Sequence, residues 1–247
     1  MHTSIEVPAE ISARIPERRI AYPNVEHGRD ARRDTTLVAD VIVVGSGAGG
    51  AVAACLLAEA GLDVLMLEEG ALHKTEDFST DVLRSMRHLY RDFGSSMILG
   101  TPGIIFVEGR CVGGSTVING GMCWRTPERI LDRWQRDERL PDIDPRAMEP
   151  MFAEVEREMN PEAQRPDTLG AHNRLFTEGA RAIGWHPREN LRNMRRCAGL
   201  NNCAFGCPTG AKQSMLVTFL PRALRAGGED NARGVRAEAA PGAGLGA

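Results

Sequence analysis

A short run of β-branched residues followed by a cluster of glycines is the feature that most restricts the fold of this sequence. The run Ala39–Val44 predicts a strand buried on both faces. The glycine-rich residues 45–50 come next, and the small residues Ala51–Ala60 then predict a helix that ends at a glycine. Val64–Leu67 predicts a second strand. Two parallel strands joined by a helix form a right-handed βαβ unit, so the fold class is α/β.

The spacing of these glycines fits the pattern G-x-G-x-x-G, with Gly45, Gly47 and Gly50 at its glycine positions and Ser46 between the first two. Such glycines permit a tight turn, the close approach of a pyrophosphate and close packing of helix on strand, and the helix N-terminus attracts phosphate. Glu68 ends the second strand, where a carboxylate can accept hydrogen bonds from a ribose diol. These five residues are therefore predicted to bind a dinucleotide, although this motif does not separate FAD from NAD.

A second glycine cluster spans residues 109–121 and reads Gly-Arg-Cys-Val-Gly-Gly-Ser-Thr-Val-Ile-Asn-Gly-Gly. Its Gly-Gly-Ser turn, followed by an Asn, resembles the signature of the glucose–methanol–choline (GMC) oxidoreductase family. The opening residues 41–70, which close on Glu-Glu-Gly, are similar to the start of the same family. Gly113 and Gly114 bring backbone N–H groups close to a ligand without hindrance from a Cβ atom. Asn119, with the neighbouring Gly120, is placed to donate and accept hydrogen bonds at the edge of a flavin ring.

This resemblance implies a Rossmann-like FAD/NAD(P)-binding domain of the GMC type, joined to the start of a substrate domain and truncated at the C-terminus. It implies FAD as the cofactor and a small-molecule alcohol as the substrate. The family's reaction oxidises a CH–OH group to a carbonyl and transfers a hydride to flavin N5. Either oxygen or another carrier then accepts the electrons. The stretch Cys203–Ser214 is similar to a subgroup that includes long-chain alcohol oxidases.

No catalytic base is assigned. In the family, a histidine near the C-terminus removes the hydroxyl proton. None of the six histidines of this chain lies in a matching motif; they are His2, His27, His73, His88, His172 and His186. We therefore expect this polypeptide, by itself, to show no appreciable oxidation of alcohols.

Three cysteines lie close together in the sequence, and they leave several interpretations open. The spacing Cys197-x5-Cys203-x3-Cys207-Pro is similar to the ferredoxin run C-x2-C-x2-C-x3-C-P, with Leu200 in place of the second cysteine. Three thiolates suit a three-iron cluster, or zinc with a fourth ligand from elsewhere. Structural thiols or a redox-labile disulfide are favoured over a metal site. Nearby, Lys212 is expected to be solvated, and a helix is expected to begin near residue 214.

The predicted organisation has four parts. Residues 1–38 form an N-terminal arm, and residues 39–140 form the FAD-binding domain with both glycine motifs. Residues 141–226 form an incomplete substrate-domain or cap segment that carries the cysteines. The tail, residues 227–247, is rich in Gly and Ala and has no hydrophobic periodicity, so it is predicted to be disordered or out of frame.

Charge and hydropathy exclude several classes of partner. The formal net charge is −3, which argues against a nucleic-acid surface, and no apolar run is long enough to cross a bilayer. No export signal is evident, so a cytoplasmic protein is expected. Three other functions stay open: an inactive truncated product, an NAD-dependent reductase and an iron–sulfur electron carrier. The reductase leaves the second glycine cluster unexplained, and Leu200 counts against the electron carrier.

Overall fold

The structure is a computed structural model that describes residues 20–22, 25–27, 36–226 and 235–239. Its strands are β1 (Val25–His27), β2 (Val41–Val44), β3 (Val64–Glu68), β4 (Met97–Ile98), β5 (Ile104–Ile105), β6 (Pro161–Ala163), β7 (Leu191–Asn193) and β8 (Val235–Ala239). Its helices are α1 (Ala48–Glu59), α2 (Val82–Leu89), α3 (Glu128–Asp137), α4 (Pro145–Met159), α5 (Ala171–Ala182) and α6 (Phe219–Ala226).

The main sheet has four parallel strands in the order β1-β8-β3-β2. The predicted βαβ unit is present, because β2 and β3 pair in parallel with Val41 opposite Val64, and α1 connects them. Two antiparallel pairs, β4 with β5 and β6 with β7, lie outside this sheet. The fold is thus mixed α/β, as the sequence predicts.

The buried core lies between α1, β3 and α6. Small residues on α1, such as Ala54 and Ala58, are buried against a cluster that includes Phe219 and Leu220 of α6. Arg222 of α6 holds Glu59 at the end of α1 by two hydrogen bonds of 2.5 and 2.7 Å. Because the α1 side chains are small, its backbone approaches both the sheet and α6 closely.

The edge strand β2 departs from the sequence-based prediction. The prediction gave it two buried faces, but Ile42 is 57% exposed and Val44 is 82% exposed. Helix α1 covers only one face of the sheet at this point, and within the described residues no strand pairs with the outer edge of β2. The continuous β-branched run therefore predicted the strand correctly, but the prediction that both of its faces are buried was wrong.

The two terminal segments also differ from expectation. Residues 235–239, within the predicted disordered tail, form β8, which lies between β1 and β3 in the sheet. The N-terminal arm likewise contributes β1. The prediction considered the Gly/Ala-rich composition of the whole tail, whereas β8 is stabilised by pairing with two strands that are distant in sequence. The rest of the tail, residues 227–234 and 240–247, lies outside the described residues.

Two further helices begin directly after an aspartate that caps them. Asp81 accepts a hydrogen bond from Arg84 N (3.0 Å) and caps α2, and Asp144 accepts from two backbone amides and caps α4. The helix expected near residue 214 begins at Phe219, after hydrogen-bonded turns from Ser214. None of the helices in the described ranges is long and apolar enough to cross a membrane.

Candidate cofactor site

The first glycine turn connects β2 to α1 and requires glycine at two positions. Gly45 has a φ of +91° and donates a hydrogen bond to Leu67 O (2.7 Å), which ties the turn to the end of β3. A Cβ atom on Gly50 would lie 1.9 Å from Gly45 O, so no side chain fits there. The tight turn and the close packing therefore both depend on missing side chains.

Gly47 precedes the first residue of α1 and has an ordinary φ of −68°. A Cβ atom at this position would have no protein atom within 4 Å. Neither backbone strain nor internal packing therefore requires a glycine here. The open space lies beside the N-terminus of a twelve-residue helix, whose free N–H groups favour an anion.

A buried hydrogen-bond network joins the two glycine motifs. Ser46 donates to Glu68 Oε2 from its hydroxyl (2.6 Å) and from its backbone N (2.8 Å). Gly113 N donates in turn to Ser46 Oγ (2.9 Å), and Gly70 N donates to Glu68 Oε1 (2.7 Å). Both Ser46 and Glu68 are buried. The carboxylate thus stabilises the meeting of the two turns and retains about one of its four acceptor sites.

The second glycine turn packs directly on the first. Gly113 and Gly114 both have positive φ, +94° and +55°. A Cβ atom on Gly114 would lie 2.9 Å from Gly47 Cα, so this contact needs a glycine. Thr116 fixes the turn, because its hydroxyl donates to Gly113 O (2.6 Å) and accepts from Met215 N (3.0 Å).

Asn119 and Gly120 follow this turn in a loop whose carbonyl groups are held by basic side chains. Asn119 Oδ1 accepts from Gly121 N (3.0 Å), so its side chain folds back on its own loop. Gly120 O accepts from Arg192 Nε (3.0 Å), and a Cβ atom at Gly120 would meet no protein atom within 4 Å. Asn119 and Gly120 therefore lie in one held loop that follows directly from the second glycine turn.

Lys212 corrects the prediction of a solvated lysine. Its side chain is buried, and Nζ donates to the carbonyl oxygens of Val117 (2.6 Å), Asn119 (2.9 Å) and Cys203 (2.6 Å). Burial lowers the pKa of Lys212 to about 8. The lysine fastens the Asn119 loop to the cysteine segment, a role that no local sequence pattern indicated because its partners are distant in sequence.

The three clustered cysteines are free thiols that line one cavity. Cys203 Sγ accepts from Arg192 Nη2 (3.1 Å), and Cys197 Sγ accepts from Gly199 N (3.4 Å). Burial raises the pKa of the Cys197 thiol. Among the described residues, no three Cys, His, Asp or Glu side chains form a group that could hold a metal ion.

One surface carboxylate also has partners that the sequence did not indicate. Glu69 pairs with Arg91 and with Arg110. The hydrogen bonds from Arg91 lower the pKa of Glu69. Arg91 also pairs with Glu108, close to the second glycine motif, so these ion pairs link the ends of the two motifs at the surface.

These residues fit FAD. The backbone at Gly47 is open for a pyrophosphate, and Glu68 lies at the end of β3 with acceptor capacity for a ribose. The second glycine turn and the Asn119 loop extend from the first turn, so backbone groups are available to a longer ligand. The two glycine motifs therefore form one site.

Comparison with known proteins agrees with this arrangement. The family model described as GMC oxidoreductase matches residues 38–239. This range extends through β8 to residue 239, so the similarity to the family continues into the predicted tail. The solved structure of pyridoxine 4-oxidase from Mesorbium loti matches with a TM-score of 0.57 at 17% identity, covering 81% of this chain and 42% of that one.

Curated relatives extend the similarity. The chain is 37% identical over 221 residues to a GMC-type oxidoreductase of Mycobacterium tuberculosis, covering 88% of this chain and 35% of the relative. It is 31% identical over 189 residues to a long-chain-alcohol oxidase of Arabidopsis thaliana, covering 76% of this chain and 25% of the relative. The chain thus spans about a quarter to a third of the length of these relatives. The chain belongs to the GMC oxidoreductase family, whose N-terminal domain binds FAD.

Proposed function

We propose that this chain supplies the FAD site of an oxidoreductase that converts the CH–OH group of an alcohol to a carbonyl. The observation that carries the proposal is the buried network in which Ser46 bonds to both Glu68 and Gly113. It joins a dinucleotide-binding turn to a second glycine turn, and a nicotinamide-binding βαβ unit has no need of that second turn. FAD, which is an extended molecule, contacts both glycine turns.

Different residues of the site bind different parts of FAD. The backbone at Gly47 and the N-terminus of α1 attract the pyrophosphate, while Glu68 accepts from the ribose. The segment from Gly113 to Gly120 faces the flavin portion, and Lys212 and Arg192 keep the carbonyls of that segment in place. When bound, FAD supplies the hydride acceptor for the alcohol carbon.

The alcohol itself is proposed only as a class. Among the relatives, the long-chain-alcohol oxidases of Arabidopsis thaliana support an alcohol substrate and oxygen as the acceptor. The catalytic base stays unassigned. The absence of alcohol turnover by this polypeptide alone also stays a prediction, to be tested with a long-chain alcohol and an artificial electron acceptor.

The test of FAD binding compares two glycines that differ only in position. Gly47 and Gly49 both have space for a Cβ atom, and neither has a positive φ. Gly47→Ala and Gly49→Ala should therefore both fold, as judged by circular dichroism. The new methyl group at residue 47 occupies the space required by the pyrophosphate, whereas the one at residue 49 lies in the first turn of α1.

The purified wild-type chain should show the two visible bands of a flavin and should release FAD on denaturation. We expect Gly47→Ala to weaken FAD binding at least tenfold in fluorescence titrations and Gly49→Ala to retain it. Equal FAD affinity in both variants would place the cofactor elsewhere. A wild-type chain that folds but does not bind added FAD would refute the proposal for this polypeptide.

A further inference from the structure

A buried ammonium lies behind the loop that the proposed function assigns to the flavin. Lys212 is 2% exposed, and its Nζ donates to the carbonyl oxygens of Val117, Asn119 and Cys203. Three carbonyl acceptors use all three N–H groups of a protonated lysine, and the neutral amine lacks the third donor. The structure therefore holds Lys212 as a cation, and because it is buried, water and salt screen its electric field only weakly.

A guanidinium holds the next residue of the same loop. Arg192 Nε donates to Gly120 O (3.0 Å), and the other nitrogens of Arg192 donate to Gln164 Oε1 (3.1 Å) and to Cys203 Sγ (3.1 Å). None of these acceptors is a carboxylate, and an arginine side chain stays protonated in proteins. The carbonyl oxygens of Asn119 and Gly120 thus each accept a hydrogen bond from a positively charged group.

The positive charge at this loop is not neutralised by acidic residues. Arg91, by contrast, pairs with both Glu69 and Glu108. Within the described residues, no salt bridge involves Lys212 or Arg192. Burial of an unpaired cation costs free energy. A ligand group that gains negative charge beside this loop would offset that cost.

The loop also presents an open backbone donor. In the part of the chain that the structure describes, Gly120 N has no hydrogen-bond partner, and a Cβ atom at Gly120 would meet no protein atom within 4 Å. The carbonyl of the same peptide group is Asn119 O, which accepts from Lys212 Nζ. Linked hydrogen bonds polarise one another, so the ammonium strengthens Gly120 N–H as a donor.

We propose that Lys212 and Arg192 are positioning residues that favour reduced over oxidised FAD, because they place positive charge behind the Asn119–Gly120 loop. FAD gains negative charge when it accepts a hydride, and fixed positive charge stabilises negative charge that develops beside it. The inference rests on the proposed function, since it takes this loop to face the flavin portion. It adds that the two cations raise the reduction potential of the cofactor, besides holding the loop in place.

The test measures the reduction potential of FAD bound to the purified chain, by anaerobic reduction in equilibrium with reference dyes. Arg192→Gln removes the charge but keeps an amide donor for Gly120 O, whereas Arg192→Lys keeps the charge. We expect Arg192→Gln to weaken the binding of reduced FAD, relative to oxidised FAD, at least tenfold. For a two-electron couple this change makes the potential about 30 mV more negative. Arg192→Lys should stay near the wild-type potential.

Two further variants complete the comparison. Lys212→Met removes the buried charge, so its potential should also become more negative than that of wild type, measured on folded protein that holds FAD. Arg192→Gln decides the question by itself where Lys212→Met does not fold. Arg181→Gln, the matched control, makes the same substitution at an exposed arginine of α5 and should leave the potential unchanged.

An unchanged potential in Arg192→Gln, or an equal shift in Arg192→Lys, would overturn the inference. A side chain that only holds the loop affects the affinity for both redox states of FAD equally and leaves the potential where it is. Either result would leave the FAD proposal standing, because FAD is bound in the measurement. A folded wild-type chain that binds no FAD would instead refute the proposed function, and this inference with it.

Discussion

Replacement of the buried Lys212 by methionine tests how the two loops of this site are held together. Lys212→Met keeps an apolar chain of similar length but leaves three carbonyl oxygens without their donor, those of Val117, Asn119 and Cys203. An unsatisfied buried polar group costs about 1–3 kcal/mol. Two of the three hydrogen bonds are only partly buried, so the lower end of that range applies to each carbonyl. We expect a loss of roughly 3 kcal/mol in the free energy of unfolding.

The assay is urea unfolding followed by circular dichroism, with FAD titration by fluorescence at a urea concentration where both proteins are folded. Lys74, the other lysine of the chain, is exposed, and Lys74→Met is the matched control. The control should change the free energy of unfolding by less than about 0.5 kcal/mol, as is usual for surface substitutions. A loss below about 1 kcal/mol in Lys212→Met, or one equal to that of the control, would refute the proposed role of the ammonium.

Three further predictions concern packing, capping and pH. Gly50→Ala should abolish folding or FAD binding in circular dichroism and fluorescence assays, since its Cβ atom would lie 1.9 Å from Gly45 O, and wild-type behaviour would contradict the close packing. Asp144→Ala should lower the free energy of unfolding in urea by about 1 kcal/mol, because it removes the cap of α4, and no change would refute that role. Burial lowers the pKa of His73, so the folded state binds fewer protons than the unfolded state, and stability should fall as the pH falls from about 7 through the folded pKa. In His73→Gln this loss of unfolding free energy between pH 7 and pH 5 should be smaller than in wild type, and an equal loss would contradict the assignment.

Local sequence patterns predicted the elements whose causes are themselves local. The β2–α1–β3 unit follows from a β-branched run, a glycine turn and small helical residues in direct succession, and the structure contains it. The caps of α2 and α4 are aspartates immediately before their helices, so a search of the sequence for N-cap residues could have found them. The reasons for glycine at positions 45 and 50 could also be stated beforehand, because a positive φ and close packing within one turn depend on neighbouring residues.

Contacts between distant residues were not predictable in this way. The strand β8 depends on pairing with β1 and β3, and its local composition suggested disorder. Glu68 was expected to serve a ribose, yet three of its acceptor sites are used to hold Ser46 and Gly70. Lys212 has partners that lie 93 and 95 residues away in the sequence.

The sequence by itself therefore determined the fold class, the family resemblance and the two glycine motifs, because glycine acts through backbone conformation and close approach within a few residues. Only the tertiary structure decided that the two motifs meet at Ser46, that β2 has an exposed face, and that Lys212 is buried. It also decided that Leu200 lines the cavity of the three cysteines. Burial and hydrogen bonding between distant segments depend on how the whole chain packs, and no local sequence pattern contains that information.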